Sequence, residues 1–299
     1  MTMTRAPRVD PRRTRDRLAA RCLTCSTALA TASTLALAAC GPAAHAPPPA
    51  APSAAPAAVP AIPPDTSLRA AFAAGSFTSP VGGRIVYRLL SPESAGDGRR
   101  FPLVVHFHGS GEIGDDNGAQ LGAFTRSWAA PEVRRRFPAY VLAPQVPARS
   151  AGYHTGADGH AASRALPPLA SALALVDSLR RALPIDSTRI YVVGFSMGGS
   201  TAWHAVLQRP ATFAAAIVVA GVPPDRERAP TVPPVPLLLV HGTADTENAF
   251  AGTRAMHDAL RRAGATGVEL RAYPGLGHEV PLDMRTESWW RTWLFARHR

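Results

Sequence analysis

The chain has 299 residues, 46% apolar and 18% charged, a balance that excludes a disordered protein and suits one large α/β domain. Its formal charge is +11 with no lysine. Seven arginines and two aspartates precede Cys40, leaving 25 basic and 19 acidic residues, a balance of +6. No basic run interleaved with aromatics occurs in that remainder, which argues against a nucleic-acid binder. Cys22, Cys25 and Cys40 are the three cysteines, so the part beyond them has neither a disulfide nor a zinc-thiolate site.

Residues 1–21 are arginine-rich, and residues 22–39 are small, apolar and uncharged. That is the order of a secretory signal. The segment ends in Leu37-Ala38-Ala39-Cys40-Gly41, which resembles a bacterial lipobox, with cleavage before a lipidated Cys40. The competing reading is an uncleaved anchor, since the apolar run is about 18 residues. Arg12-Arg13 lacks the hydrophobic pair of a twin-arginine signal. Residues 1–39 are therefore read as a lipoprotein signal peptide, and residues 40–66, almost wholly Ala and Pro, as the lipidated end and an extended tether. The expected location is the bacterial cell envelope, facing the periplasm or exterior. Gly41, in place of an inner-membrane-retaining aspartate, favours the outer membrane in a cell with two.

Residues 67–299 alternate apolar runs with helical patterns, which predicts βαβ units and a mostly parallel sheet with helices on both faces. Strands are expected at 84–90, 102–107, 140–144, 189–195, 213–220, 236–241 and 268–273, and helices at 169–182, 200–208, 249–263 and 284–296. Asp186-Ser187 reads as a turn. Runs 104–107, 217–220 and 237–240 are apolar throughout, as in strands covered on both faces.

Gly194-Phe195-Ser196-Met197-Gly198 follows the strand at 189–195 and precedes a helix. In that context G-x-S-x-G is a nucleophile elbow, a sharp turn exposing the serine hydroxyl. A serine needs an imidazole to take its proton and a carboxylate to orient the imidazole. After the strand at 236–241 comes His241-Gly242-Thr243-Ala244-Asp245, and after that at 268–273 comes Pro274-Gly275-Leu276-Gly277-His278. Ser196, Asp245 and His278 thus stand in the order nucleophile, acid, base, each after a strand. Asp225, after the preceding strand, is the rival acid. His204 and His257 read as packed or solvated helix residues, and Ser110 and Ser200 lack an elbow.

The oxyanion needs two positioned N–H donors. Met197 is one candidate. Ser110, in the loop His108-Gly109-Ser110-Gly111-Glu112 after the strand at 102–107, is the other. His106 and His108 alternate as a metal pair would, but with no evident third ligand they do not make a metal site. No cofactor is implied.

The pieces HFHGSGEIGDDNGAQL, VLAPQVP, IDSTRIYVVGFSMGGSTAW, HGTADTENAF and YPGLGHEV, within a match running from about Leu103 to Phe295, resemble the phospholipase/carboxylesterase and prolyl-oligopeptidase-like group of α/β-hydrolases. They look closest to its secreted "predicted peptidase" esterases, related to feruloyl-esterase and polyhydroxyalkanoate-depolymerase types. The resemblance implies the α/β-hydrolase fold, Ser196, Asp245 and His278 as triad, and Ser110 and Met197 as oxyanion donors. It also implies that Gln145 and Tyr153 bind substrate, Tyr153 standing where relatives carry tryptophans near the acyl pocket. The expected function is a cofactor-free serine carboxylesterase acting on small or polymer-derived esters. A prolyl-oligopeptidase-type peptidase and a non-catalytic surface-binding lipoprotein are the alternatives.

Overall fold

A computed structural model describes residues 65–299. The expected signal peptide at 1–39, Cys40 and the expected tether up to residue 64 lie outside the described residues. The last two tether residues are not tether but open a helix.

The strands are β1 (Ala73–Thr78), β2 (Arg84–Leu90), β3 (Phe101–Phe107), β4 (Tyr140–Gln145), β5 (Ala151–Thr155), β6 (Ala161–Ala165), β7 (Ile185–Phe195), β8 (Ala215–Val219), β9 (Leu237–Gly242) and β10 (Val268–Tyr273). The helices are α1 (Asp65–Ala70), α2 (Ala123–Arg126), α3 (Pro131–Arg136), α4 (Pro168–Ala182), α5 (Met197–Gln208), α6 (Phe250–Arg262), α7 (Leu282–Thr286) and α8 (Trp289–Phe295). The main sheet runs β1-β2-β4-β3-β7-β8-β9-β10. From β4 to β10 every pairing is parallel, whereas β2 pairs antiparallel with both β1 and β4. β5 and β6 form a separate antiparallel hairpin.

Alternation along the central strands builds two cores. Leu103, Val105, Ile190, Val192, Leu237 and Leu239 face α4, α5 and α6, meeting Leu173, Trp203 and Met256. Val104, Tyr191, Val193, Leu238 and Val240 face the other way, towards Phe124, Val133, Trp290 and Leu294. Each fully buried Leu or Val contributes about 1.5–3 kcal/mol relative to exposure. Both faces are covered, which is why these strands read as unbroken apolar runs.

Some expectations are corrected. The strand expected at 189–195 begins at Ile185, because Asp186–Arg189 form a bulge. Phe101 pairs with Ile185, and the next register point is Leu103 with Ile190. Inside the bulge Asp186 accepts from the Thr188 backbone N–H (2.9 Å) and hydroxyl (2.7 Å), so the expected turn is present within the strand. The single helix expected at 284–296 is two helices. Glu287 (φ −114°, ψ 173°) breaks it, and the Trp290 indole N–H returns to the Met284 carbonyl at 2.8 Å.

Four imidazoles are buried among the described residues. Burial pushes His106 down to about 3 and His204 down to about 4, and it lowers His108 and His241 as well. Between those values and the ordinary imidazole value near 6.5, the unfolded chain binds protons that the folded chain refuses. Stability is therefore expected to be full above about pH 6.5 and to fall steadily below it. The thermal midpoint between pH 8 and pH 4 measures this, and a midpoint that does not fall would contradict it.

Candidate active site

Because β3, β7, β9 and β10 share one direction, Phe107, Phe195, Gly242 and Tyr273 end at the same edge of the sheet. The loops leaving that edge carry the site.

Ser196 sits between β7 and α5 with φ 56° and ψ −120°, outside the region ordinary residues favour. Such a conformation costs about 1–3 kcal/mol and persists only when its surroundings impose it. Here the Ser196 backbone N–H donates to the Val219 carbonyl at 2.9 Å, tying the turn to β8. A β-carbon at Gly194 would lie 2.1 Å from the Gly198 carbonyl oxygen, and one at Gly198 would lie 2.2 Å from the Phe107 carbonyl oxygen. Glycine at these two positions therefore lets the turn close and α5 press on the end of β3.

The structure brings Ser196, His278 and Asp245 together. The Ser196 hydroxyl lies 2.8 Å from His278 Nε2, and His278 Nδ1 lies 2.8 Å from Asp245 Oδ2. Phe195 packs against the His278 ring, with centroids 5.0 Å apart. The Asp245 carboxylate is wholly buried, but none of its lone pairs is idle. Oδ1 accepts the backbone N–H groups of Glu247 (2.9 Å) and Asn248 (2.8 Å), while Oδ2 also accepts from His241 Nε2 at 3.1 Å.

His241 is a residue sequence reasoning passed over, although it stands four positions before the acid. Its Nε2 faces two acceptors, Asp245 Oδ2 and the Asn248 carbonyl (2.7 Å), so that nitrogen carries the proton. The Thr253 hydroxyl meets Nδ1 at 2.9 Å. His241 is thus a neutral donor that shares Oδ2 of the carboxylate with His278. Asn248 continues the network, its side-chain amide donating to the Ala220 carbonyl at 2.7 Å.

Asp225, the rival acid, is elsewhere. It bonds His154 Nε2 on the hairpin at 2.9 Å. His204 bonds Ser163 Oγ (2.9 Å) and His257 pairs with Asp258 (3.1 Å), so neither faces the serine. Ser200 is buried under the elbow, accepting from the Val222 N–H at 2.9 Å.

Met197 and Ser110 are each the first residue of a helical segment, α5 and a 3-10 turn over Ser110–Glu112. A first N–H has no partner within its own segment and is free for an anion. The turn lies against the nucleophile, since a β-carbon at Gly109 would stand 3.7 Å from Ser196 Cβ. His108 fixes this loop. Its Nδ1 meets the Gly109 carbonyl at 2.7 Å, and its Nε2 accepts the Val146 N–H at 3.1 Å. His106 is bonded to Thr125 (3.0 Å) on the other face of β3. The two imidazoles do not converge, and no group of three or more His, Cys, Asp or Glu suited to a metal occurs among the described residues.

Gln145, expected to bind substrate, is fully buried and occupied otherwise. Its oxygen accepts the Asn117 N–H (2.6 Å), and its amide nitrogen reaches the Glu112 carbonyl and Asp116 Oδ1 (both 3.2 Å). It shapes the loop around Glu112 rather than lining an open site. Tyr153 lies on β5, a strand the sequence did not reveal. Its hydroxyl is 3.3 Å from Ser200 Oγ, and the Arg149 guanidinium lies 5.1 Å from its ring centre. Glu112 is half-buried beside Gly109, and burial raises its carboxyl above the usual range.

The fold is that of the α/β-hydrolase class. Residues 169–286 match a family model described as Phospholipase/Carboxylesterase. A probable carboxylesterase of Oryza sativa subsp. japonica is 29% identical over 238 residues, covering 73% of this chain and 87% of that protein. A solved thermostable esterase is 30% identical with a TM-score of 0.69, over 78% of this chain, which spans 64% of that esterase's length. The acylaminoacyl peptidase of Pyrococcus horikoshii, 17% identical with a TM-score of 0.51 over 70% of this chain and 38% of its own, shares the fold alone. The chain has the α/β-hydrolase fold and is a hydrolytic enzyme.

Proposed function

We propose that this enzyme is a serine carboxylesterase using Ser196 as nucleophile, His278 as general base and acid, and Asp245 as the group that orients His278. The observation that carries this reading is the chain of two 2.8 Å contacts from Ser196 Oγ through His278 to Asp245 Oδ2. In this arrangement His278 holds its proton on Nδ1, leaving Nε2 to accept the serine proton as Oγ attacks the ester carbonyl. The backbone N–H groups of Met197 and Ser110 would hold the oxyanion. His278 then protonates the departing alcohol, and water activated by the same nitrogen releases the acid. Ester rather than amide substrates are favoured by the names of the carboxylesterase and esterase relatives, and because an alcohol leaves more readily than an amine.

The test is a substrate panel with an active-site probe. A fluorophosphonate should label the protein on Ser196, and short or aromatic acyl esters should be hydrolysed faster than peptide amides of the same acyl group. A preference for proline-containing peptides over every ester would favour the peptidase alternative, and absence of labelling would favour the non-catalytic one.

We also propose that the mature protein is a lipoprotein anchored through Cys40, supported by the lipobox-like Leu37-Ala38-Ala39-Cys40 and the adjoining Ala/Pro segment. Cys40→Ser should leave an unprocessed, unlipidated precursor by mass spectrometry. A mature wild-type protein starting well beyond Cys40 would refute the anchor. Among the described residues no helix is long and apolar enough to cross a membrane.

A further inference from the structure

Resting on the esterase reading, we propose that the site selects esters whose alcohol carries a positive charge, and that Glu247 makes the selection. Glu247 Oε2 stands 3.6 Å from His278 Nε2, the nitrogen that the Ser196 hydroxyl meets at 2.8 Å. That separation is too long for a hydrogen bond, and the lone pair of Nε2 already faces the serine. Glu247 is therefore an open charge beside the proton-transferring atom rather than a link in the relay. Its position is set by the acid loop, because its own backbone N–H is one of the donors holding Asp245 Oδ1 (2.9 Å), while its side chain is 72% exposed.

The proton that leaves Nε2 goes to the departing alcohol oxygen, so the alcohol portion of an ester must pass that nitrogen. A cation two or three bonds from the alcohol oxygen there meets the Glu247 carboxylate. A carboxylate in the same place is repelled.

Arginine is abundant in this chain, and the carboxylates of Glu93, Asp97, Asp158, Asp186, Glu269 and Asp283 all pair with one. Glu247 has no arginine partner among the described residues. Its approach to a titratable group is the 3.6 Å to His278 Nε2, a nitrogen that carries no proton in this arrangement. A second carboxylate lies on the oxyanion side. Glu112 Oε2 is 3.1 Å from the point where a Gly109 β-carbon would stand, and the same point is 3.7 Å from Ser196 Cβ. Arg149 stacks on Tyr153 and is not in contact with either carboxylate.

The experiment compares three butyrate esters on the full-length enzyme and on Glu247→Gln. The alcohols are choline, its neutral isostere 3,3-dimethylbutanol, and glycolate, which adds a carboxylate. Comparing ratios of kcat/KM between wild type and variant cancels the intrinsic reactivity of each ester. An exposed charge contact is worth up to about fivefold. The choline-to-neutral ratio is expected to fall about three- to fivefold in Glu247→Gln, and the glycolate-to-neutral ratio to rise by a similar factor. Both changes should shrink at about 1 M salt, where screening reaches a few ångströms. Ratios that do not move overturn the proposal. So does an equal loss on all three esters, which would mean that Glu247 acts on His278 rather than on the alcohol. If wild type hydrolyses none of the three, the esterase reading falls and takes this one with it.

Discussion

Ser196→Ala is expected to abolish fluorophosphonate labelling and to lower kcat by about 10⁶, the loss seen when a triad hydrolase loses its nucleophile. The fold should survive. Alanine carries the same β-carbon as serine, so the backbone at φ 56° meets no new atom, and the bond that ties the turn to Val219 is made by the main chain. What disappears is the hydroxyl that meets His278 Nε2. A residual rate of about 10³–10⁴ over water is expected, because the Met197 and Ser110 N–H groups and the binding surface remain. Titration with the probe and circular dichroism on the same sample separate lost chemistry from lost structure. Labelling that persisted on Ser110, exposed on its 3-10 turn, or on Ser200, buried beneath the elbow, would assign the nucleophile elsewhere.

What could be read from the chain was whatever its neighbours in sequence determine. The central strands were legible because burial on both faces forces an unbroken apolar run, as at Val104, Ile217 and Leu238. Ser196 was legible because its turn demands glycines on both sides, Asp245 because it follows such a strand, and His278 because it follows the strand Val268–Tyr273 in a short glycine-bracketed loop. β1 was not. Its residues Ala73–Thr78 are, Phe77 apart, small and mostly exposed, and it is a strand because β2 supplies its hydrogen-bond partners. The hairpin of β5 and β6 was hidden for a similar reason. Ser163 on β6 and Ser150 just before β5 reach α5 by single polar contacts, to His204 at 2.9 Å and to Thr201 at 2.7 Å, and the apolar side chains that pack on the core, such as Ala151 and Tyr153, are too few to leave a clear period in the sequence. Gln145 was assigned to substrate by resemblance, whereas its burial and three amide contacts make it a brace for the loop holding Glu112. His241 escaped notice because its role lies in a 3.1 Å side-chain contact with Asp245 that residue type alone does not announce, and Glu247 because it matters through a 3.6 Å distance to His278 on another loop.

Asp245→Asn is expected to cost about 10⁴ in kcat while leaving the domain folded. The argument is one of hydrogen-bond bookkeeping. Oδ1 of Asp245 faces two backbone donors, from Glu247 and Asn248, so an asparagine must turn its carbonyl oxygen to them. Its NH₂ group then takes the place of Oδ2, against His278 Nδ1 and His241 Nε2. Both nitrogens carry protons in the native arrangement, so His278 must move its proton from Nδ1 to Nε2. With Nε2 protonated, no lone pair faces the Ser196 hydroxyl and the base is lost. The substitution changes a tautomer rather than a packing volume, so the thermal midpoint should move far less than the rate. The partner experiment is Asp225→Asn. Asp225 is bonded to His154 on the hairpin, not to His278, so its loss should cost little activity by comparison. A 10⁴-fold loss in Asp225→Asn with an active Asp245→Asn would move the acid to the loop after β8.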